Sequence, residues 1–344
     1  ELRHAHGLTL GHWPQSVALS TVGGWLACRS AGQYSTRYGK IEKMVVGLEV
    51  VLADGRIVHT GGAPAAAVGP DLTQLFVGSE GTLGVITSAR LRVHPTPSAE
   101  RRAAFGFTSL GAGVDACRRI IRRGATPAVL RLYDEGESQR AHGTDGTMCV
   151  LLVLDEGDAP LVDAVMGLVA EECRSATSLG DEPVAHWLEH RNDVSALEAL
   201  TRKGFVVDTM EIAAPWSALP AVYAATTSAL LDVPHTRVAT AHLSHSYTDG
   251  ACLYFTFAAT PPPAELESTY VALWDAGQRA VLGAGGNLSH HHGVGLNRAR
   301  FARAALGEAH GVLADVKAAL DPRRILNPGK LGLTSPFGEV DWPA

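Results

Sequence analysis

Gly78-Ser79-Glu80-Gly81-Thr82-Leu83-Gly84-Val85-Ile86-Thr87 is the stretch on which the reading of this chain turns. Its three glycines leave the backbone free to turn sharply or to approach another molecule closely. Val85-Ile86-Thr87 then starts a strand, because β-branched side chains pack well on a pleated surface. Ser79 and Thr82 offer hydroxyls beside bare amides, which suits a ligand rich in phosphate or carbonyl oxygens. The spacing is not Gly-x-Gly-x-x-Gly opening a helix, so a Rossmann fingerprint does not fit. Taken alone, such glycines more often mark a turn that merely connects two strands.

Working outward, Met44 to Leu52 reads as a buried strand, Ala53-Asp54-Gly55-Arg56 as a tight turn, and Ile57 to Thr60 as the returning partner. Asp71 is an acidic start signal for a short helix to Val77. After the glycine stretch, Ala89 to His94 alternates as a strand until Pro95-Thr96-Pro97 breaks it, which predicts a domain boundary. Upstream, His12-Trp13-Pro14-Gln15-Ser16 leads into Ser20-Thr21-Val22-Gly23-Gly24-Trp25, a second polar run closing on glycines. It reads equally as an ordinary loop or as a turn meeting a ligand.

Beyond residue 100 strands and helices alternate: strands at 103–107, 129–133, 148–154, 208–212, 239–246 and 253–258, and helices at 110–123, 161–172, 184–202, 266–282 and 298–320. An antiparallel sheet covered by helices fits this block. The helix from 266 ends on Gly283, Gly285 and Gly286, a capping signature.

With 344 residues, two domains of about 150 residues each are expected. Apolar residues make up 46% and charged ones 19%, the balance of a well-packed soluble protein. A net charge of -6 argues against a nucleic-acid partner. No apolar run nears the roughly 20 residues of a membrane span, and the start lacks a signal peptide. Five scattered cysteines suggest a reducing, cytoplasmic compartment.

The chemistry concentrates in a few places. Ser289-His290-His291-His292-Gly293 places three imidazoles beside glycines; in an extended segment His290 and His292 share one side and His291 faces the other. A zinc site drawing on His290 and His292 plus some of His235, His242 and His245 is a weaker alternative, since no cysteine or carboxylate recurs at ligand spacing nearby, and a solvent-exposed histidine tract of no consequence is another. Arg131, between Leu130 and Leu132 in a strand, must face a carboxylate or an anionic ligand. Tyr254 is a core tyrosine, or a general acid or base if its pKa falls well below about 10. Strand alternation puts His242 and His245 on opposite faces, so only one would face a site.

Gly11-His12-Trp13-Pro14-Gln15-Ser16, Ser20 to Trp25, the 78–87 stretch, Gly250-Ala251-Cys252-Leu253-Tyr254-Phe255 and Ser289 to Gly295 together resemble alkyldihydroxyacetonephosphate synthase and, more broadly, FAD-linked oxidases of the vanillyl-alcohol oxidase type. The resemblance covers nearly the whole chain in order. It implies an α+β flavoprotein: an FAD-binding domain over 1–98, a cap over 99–310 whose antiparallel sheet lies over the isoalloxazine, and a segment 311–344 returning to the first domain. It implies FAD contacts from Gln15, Ser16, Ser20 and Thr21, from Cys28, Arg29, Ser30 and Ala31, and from Glu80, Gly81, Thr82, Gly84, Val85 and Ile86. Tyr254 matches the family's catalytic tyrosine, His12, Arg131 and His290, His291 and His292 match active-site positions, and no metal is implied.

In the synthase an acyl group leaves and an alkyl group enters on dihydroxyacetone phosphate at flavin N5, without net redox change; Tyr254 would be the base, with His290 and His292 handling protons. His242 stands where the synthase has an arginine for the substrate phosphate, and an imidazole lacks the guanidinium's fork and permanent charge. That favours a bacterial oxidase or dehydrogenase of a hydroxy acid or alcohol. The family's glycine-rich pyrophosphate loop lies upstream of the His12 segment, and the chain starts after it without a methionine. The expectation is the later part of a longer protein, a non-catalytic fragment being the rival. Its partner is a small molecule, lipid-like or a hydroxy acid, with peripheral membrane association and a homodimer both open.

Overall fold

A computed structural model describes residues 2–193, 195–338 and 342. The chain divides into two compact units: residues 1–32, 39–94 and 288–344 form the first, and 33–38 with 95–287 the second. Residues 288–310, expected in the cap, therefore group with the first unit.

In the first unit the helix α1 (Val22–Cys28) is capped at its N-terminus by the Thr21 side chain, which accepts from the Gly24 amide. Strands β1 (Val45–Val51) and β2 (Ile57–His59) form the expected hairpin, Val51 pairing with Ile57. The short α2 (Leu72–Phe76) is capped by Asp71, as its start signal predicts. The glycine stretch then feeds β3 (Val85–Leu91), and the sheet order is β2-β1-β3.

The second unit is built on seven strands: β4 (Ala99–Phe107), β5 (Val129–Tyr133), β6 (Cys149–Gly157), β7 (Thr177–Gly180), β8 (Val206–Pro215), β9 (Thr236–Ser246) and β10 (Gly250–Ala259). They run in the order β8-β10-β9-β5-β6-β4-β7, every pair antiparallel. Helices α3 (Leu110–Arg122), α4 (Glu135–His142), α5 (Ala159–Glu172), α6 (Glu182–His190), α7 (Ser195–Arg202), α8 (Leu219–Leu231) and α9 (Leu266–Gly283) intervene. One sheet face buries Leu130, Leu132, Met210, Ile212, Leu243, Leu253, Phe255 and Phe257 with Ile120, Val222, Leu230 and Leu273 from the helices, forming the main core. Part of the opposite face is covered by a smaller cluster including Tyr34, Tyr133, Val184 and Trp187. The rest of that face carries polar side chains.

The chain returns to the first unit through α10 (Ala299–Leu306) and α11 (Ala309–Leu320). The single helix expected at 298–320 is broken at Gly307, whose φ of 54° and ψ of -135° lie outside the helical region. The helix expected over 184–202 is likewise two pieces, α6 and α7; residue 194, between them, lies outside the described residues, as do 339–341 and 343–344 of the closing segment.

Candidate functional site

In the second unit, the polar sheet face brings Arg131, His242 and Tyr254 together. Tyr254 alternates with Leu253 and Phe255, so packing those two into the core turns its ring to the other side. His242 pairs directly with Tyr254 across the ladder, their rings stacked with centroids 5.0 Å apart. Alternation puts His245 on the opposite face from His242, but the register slips between Leu243 and His245, where Ser244 is the extra residue. The bulge resets the alternation, so His245 pairs with Cys252 and shares the face of His242. His245 bonds the Ser35 hydroxyl at 2.7 Å.

His242 sits between a cation and a carboxylate. Arg131 Nη2 lies 2.6 Å from its Nε2, and Glu137 Oε2 lies 2.6 Å from its Nδ1. A guanidinium only donates, so Nε2 accepts, and Nδ1–H donates to Glu137. Burial and then Arg131 lower the His242 pKa against the pull of Glu137, which keeps the ring neutral. Burial acts to raise Glu137, but His242, the Thr256 hydroxyl at 2.8 Å and Arg131 outweigh it and hold the carboxyl low. Arg131 also donates through Nε to the Tyr133 hydroxyl at 2.7 Å and stacks on Tyr133 and Trp187. It has no direct carboxylate partner among the described residues, and its Nη1 makes no protein hydrogen bond there.

Tyr254 bonds the Thr209 hydroxyl at 3.0 Å, and burial pushes its pKa up to about 12. The low pKa that a resting tyrosinate base requires is absent, and this phenol is protonated at neutral pH. Glu137, Tyr133, Thr209, Thr256 and the fully buried Glu211 are members of this face that sequence reasoning missed. The one signal for Glu137 was its place in the first turn of a helix that follows directly on the Arg131 strand.

In the first unit the glycine stretch is a brace. Glu80, at a left-handed φ of 49°, accepts from the Gly295 amide at 2.9 Å and from that of Val294, while Asn327 donates to its carbonyl. The Gly78 and Glu80 amides are taken by the Leu26 and Ala27 carbonyls. The Thr82 hydroxyl donates to the Ser79 carbonyl at 2.7 Å. Those donors, expected to face a ligand, are therefore spent internally. A Cβ at Gly84 would stand 2.4 Å from Val50 Cγ1, so this glycine permits strand packing. Arg29 lies along Gly78 and donates to the Gln74 carbonyl at 3.3 Å. Burial and then Glu80 push the Cys28 thiol up to about 11, so it is not nucleophilic. Ser30 and Ala31 are buried, Gly81 and Ile86 half-buried, and Val85 exposed.

Behind the stretch, the buried Lys317 pairs with Asp321 and donates at 2.7 Å to the carbonyls of Thr82 and Leu326. The histidine triplet forms a bend rather than an extended run. His290 and His291 meet Nδ1 to Nδ1 at 2.9 Å, so one ring donates and the other accepts; His292 is exposed, and Lys40 donates to the His290 carbonyl. Gln15, Ser16 and Thr21 are exposed, and Ser20 accepts from the Trp25 indole at 2.7 Å. His12 is buried against Trp25, neither ring nitrogen has a partner among the described residues, and burial lowers its pKa to about 4.

An α+β chain with a helix-covered antiparallel sheet of this order, preceded by a glycine-braced unit, is a flavoprotein architecture of the vanillyl-alcohol oxidase type. Residues 96–331 match the family of FAD linked oxidases, C-terminal domain, and residues 1–61 match an FAD binding domain. The chain belongs to the FAD-linked oxidase family, and its cofactor is FAD.

It is 32% identical to YgcU, an uncharacterized FAD-linked oxidoreductase of Escherichia coli O157:H7, over 94% of this chain and 71% of that protein. It is 30% identical to the glycolate oxidase subunit GlcD of Bacillus subtilis, over 92% and 69%. A solved alkyldihydroxyacetonephosphate synthase superposes with a TM-score of 0.74 at 28% identity, covering 95% of this chain and 62% of that one. The chain thus spans less than two thirds of the synthase's length.

The residues present fit part of a flavin site. Neither nitrogen of the buried His12 imidazole has a hydrogen-bond partner among the described residues, which leaves both open to a bound polar group. A Cβ at the exposed Gly23 would meet nothing, so the backbone of the Thr21 turn is open to its surroundings.

Proposed function

We propose that this protein is an FAD-dependent dehydrogenase or oxidase of a small hydroxy acid. The observation that carries the proposal is Arg131, a half-buried guanidinium that has no direct carboxylate partner and no bond from Nη1 among the described residues. A guanidinium so placed calls for an anion. His242 beside it is neutral and already accepts from Arg131, so it adds no second positive charge for a phosphate dianion. One forked donor suits a carboxylate.

In this reading Arg131 binds and orients the carboxylate, with Tyr133 and Trp187 shielding it from water. Tyr254, protonated, donates a hydrogen bond to the substrate oxygen. The family resemblance assigns the hydroxyl proton to the histidine run His290 to His292. His12, Gln15, Ser16, Ser20 and Thr21 would hold the flavin, with Cys28 to Ala31 and Glu80 to Ile86 shaping the backbone around it. Bound FAD supplies the hydride acceptor.

The second reading is acyl-for-alkyl exchange on dihydroxyacetone phosphate, favoured by the superposition on the synthase. One assay separates them. FAD-loaded protein mixed anaerobically with D-lactate or glycolate should lose its oxidised flavin absorbance. A spectrum unchanged by hydroxy acids, with turnover of acyl-dihydroxyacetone phosphate plus a fatty alcohol, overturns the dehydrogenase reading.

A further inference from the structure

His186-Trp187-Leu188-Glu189-His190 spaces two histidines four apart with a glutamate between them, on the helix α6. Residues at i and i+4 lie one above the other, and i+3 shares their face. The structure realises this: the two imidazole centroids are 4.4 Å apart, and one ligand atom from each of His186, Glu189 and His190 falls within 4.8 Å of the others. Metal-binding histidines commonly have their second nitrogen tied to a carbonyl, which fixes the tautomer. His190 Nδ1 has that partner, donating to the His186 carbonyl at 2.9 Å, and this leaves the Nε2 lone pair outward.

We propose that His186, Glu189 and His190 form a site for one borderline divalent cation of the Zn²⁺ class, with water completing the coordination.

Three further observations support it. Neither the Glu189 carboxylate nor the His186 imidazole has a hydrogen-bond or ion-pair partner among the described residues, so no existing contact must break. All three side chains are exposed, so a hydrated ion can reach them without a desolvation penalty. A third imidazole, that of His142, is close enough to interact with His186 and has a buried Nε2 with no hydrogen-bond partner among the described residues. A plain solvated helical face would instead pair such a glutamate with lysine or arginine at helical spacing. Imidazole with one carboxylate selects Zn²⁺, Ni²⁺ and Cu²⁺ over Mg²⁺ and Ca²⁺, which want oxygen ligands.

The consequence is local stiffening. Ligation across one turn staples the end of α6, and that helix carries the buried Trp187, which packs on Arg131 and Arg191 at 5.9 and 5.6 Å. The site is distinct from the residues assigned to hydroxy-acid binding and stands or falls independently of that assignment.

Isothermal titration of untagged, metal-stripped protein with ZnCl₂ and MgCl₂ tests it, with His186→Asn/His190→Asn and Glu189→Gln as variants. The exposed positions leave the fold intact, which circular dichroism verifies. Wild type should bind one Zn²⁺ in the micromolar range or tighter and no Mg²⁺. The double variant should lose that equivalent, and Glu189→Gln should weaken it by about tenfold, as loss of even an outer-shell partner does. His142→Ala reports whether the third imidazole joins the set. Equal zinc stoichiometry in wild type and double variant, or equal affinity for Mg²⁺, overturns the proposal.

Discussion

At the scale of single residues, the account rests on the proton inventory of His242. Glu137 accepts from its Nδ1, so its Nε2 must accept from Arg131. Glu137→Gln keeps the shape but can turn an amide N–H toward Nδ1. The imidazole would then carry its proton on Nε2, facing the Arg131 donor, and the guanidinium would lose its aim. The expected outcome is an affinity for the hydroxy acid weakened about tenfold, worth about 1.4 kcal/mol, with the limiting rate of flavin reduction nearly unchanged. The ¹⁵N shifts of the His242 ring should switch tautomer. Unchanged binding with an unchanged tautomer would refute the relay. Arg131 was legible in the sequence because a charge between two leucines of a strand demands a partner. Glu137 was not, because an acidic residue in a first helical turn is ordinary, and only the fold carries it under His242.

At the scale of elements, strands and turns were read well and interruptions poorly. The β1–β2 hairpin and the Asp71 cap follow from local chemistry, and both are present. The Ser244 bulge reverses which face His245 occupies, and counting alternate residues cannot see one extra residue. Gly307 breaks α10 from α11 although the apolar period runs through it. Lys317 and Asp321 look like a solvated i,i+4 pair, yet both are buried and the lysine also bonds the Thr82 carbonyl of the glycine stretch. Lys317→Met therefore strands a buried carboxylate and two carbonyls. It should destabilise the first unit by about 3–5 kcal/mol, measured by urea denaturation; a cost below about 1 kcal/mol, the range of a surface pair, would show that the network is not structural.

At the scale of the whole molecule, stability should depend on pH through histidines buried as neutral rings. His12 and His142 have folded pKa values lowered to about 4, each chiefly by burial. Below about 6.5 the unfolded chain binds a proton at each site that the folded chain refuses. Stability is thus fully present above that value and declines as the pH falls toward 4, by about 2 kcal/mol per histidine at pH 5. Denaturation at pH 7 and pH 5 checks this, and His12→Gln should flatten the slope; equal stability at both values would contradict the buried neutral rings.

At this scale the proposed function draws on both units, the first for the flavin and the second for the substrate anion. The family was legible in motif order because glycine and histidine runs are local. The proposed substrate anion was not, because that proposal rests on which groups Arg131 meets across strands. Stopped-flow anaerobic flavin reduction by a hydroxy acid, in wild type and Arg131→Gln, tests that claim most directly. The account predicts that wild type bleaches with saturation and that the variant needs roughly 100-fold more acid, the cost of about 2.7 kcal/mol for a lost charged hydrogen bond. A wild-type flavin that no hydroxy acid reduces, or an Arg131→Gln variant that saturates at the same concentration, would contradict it.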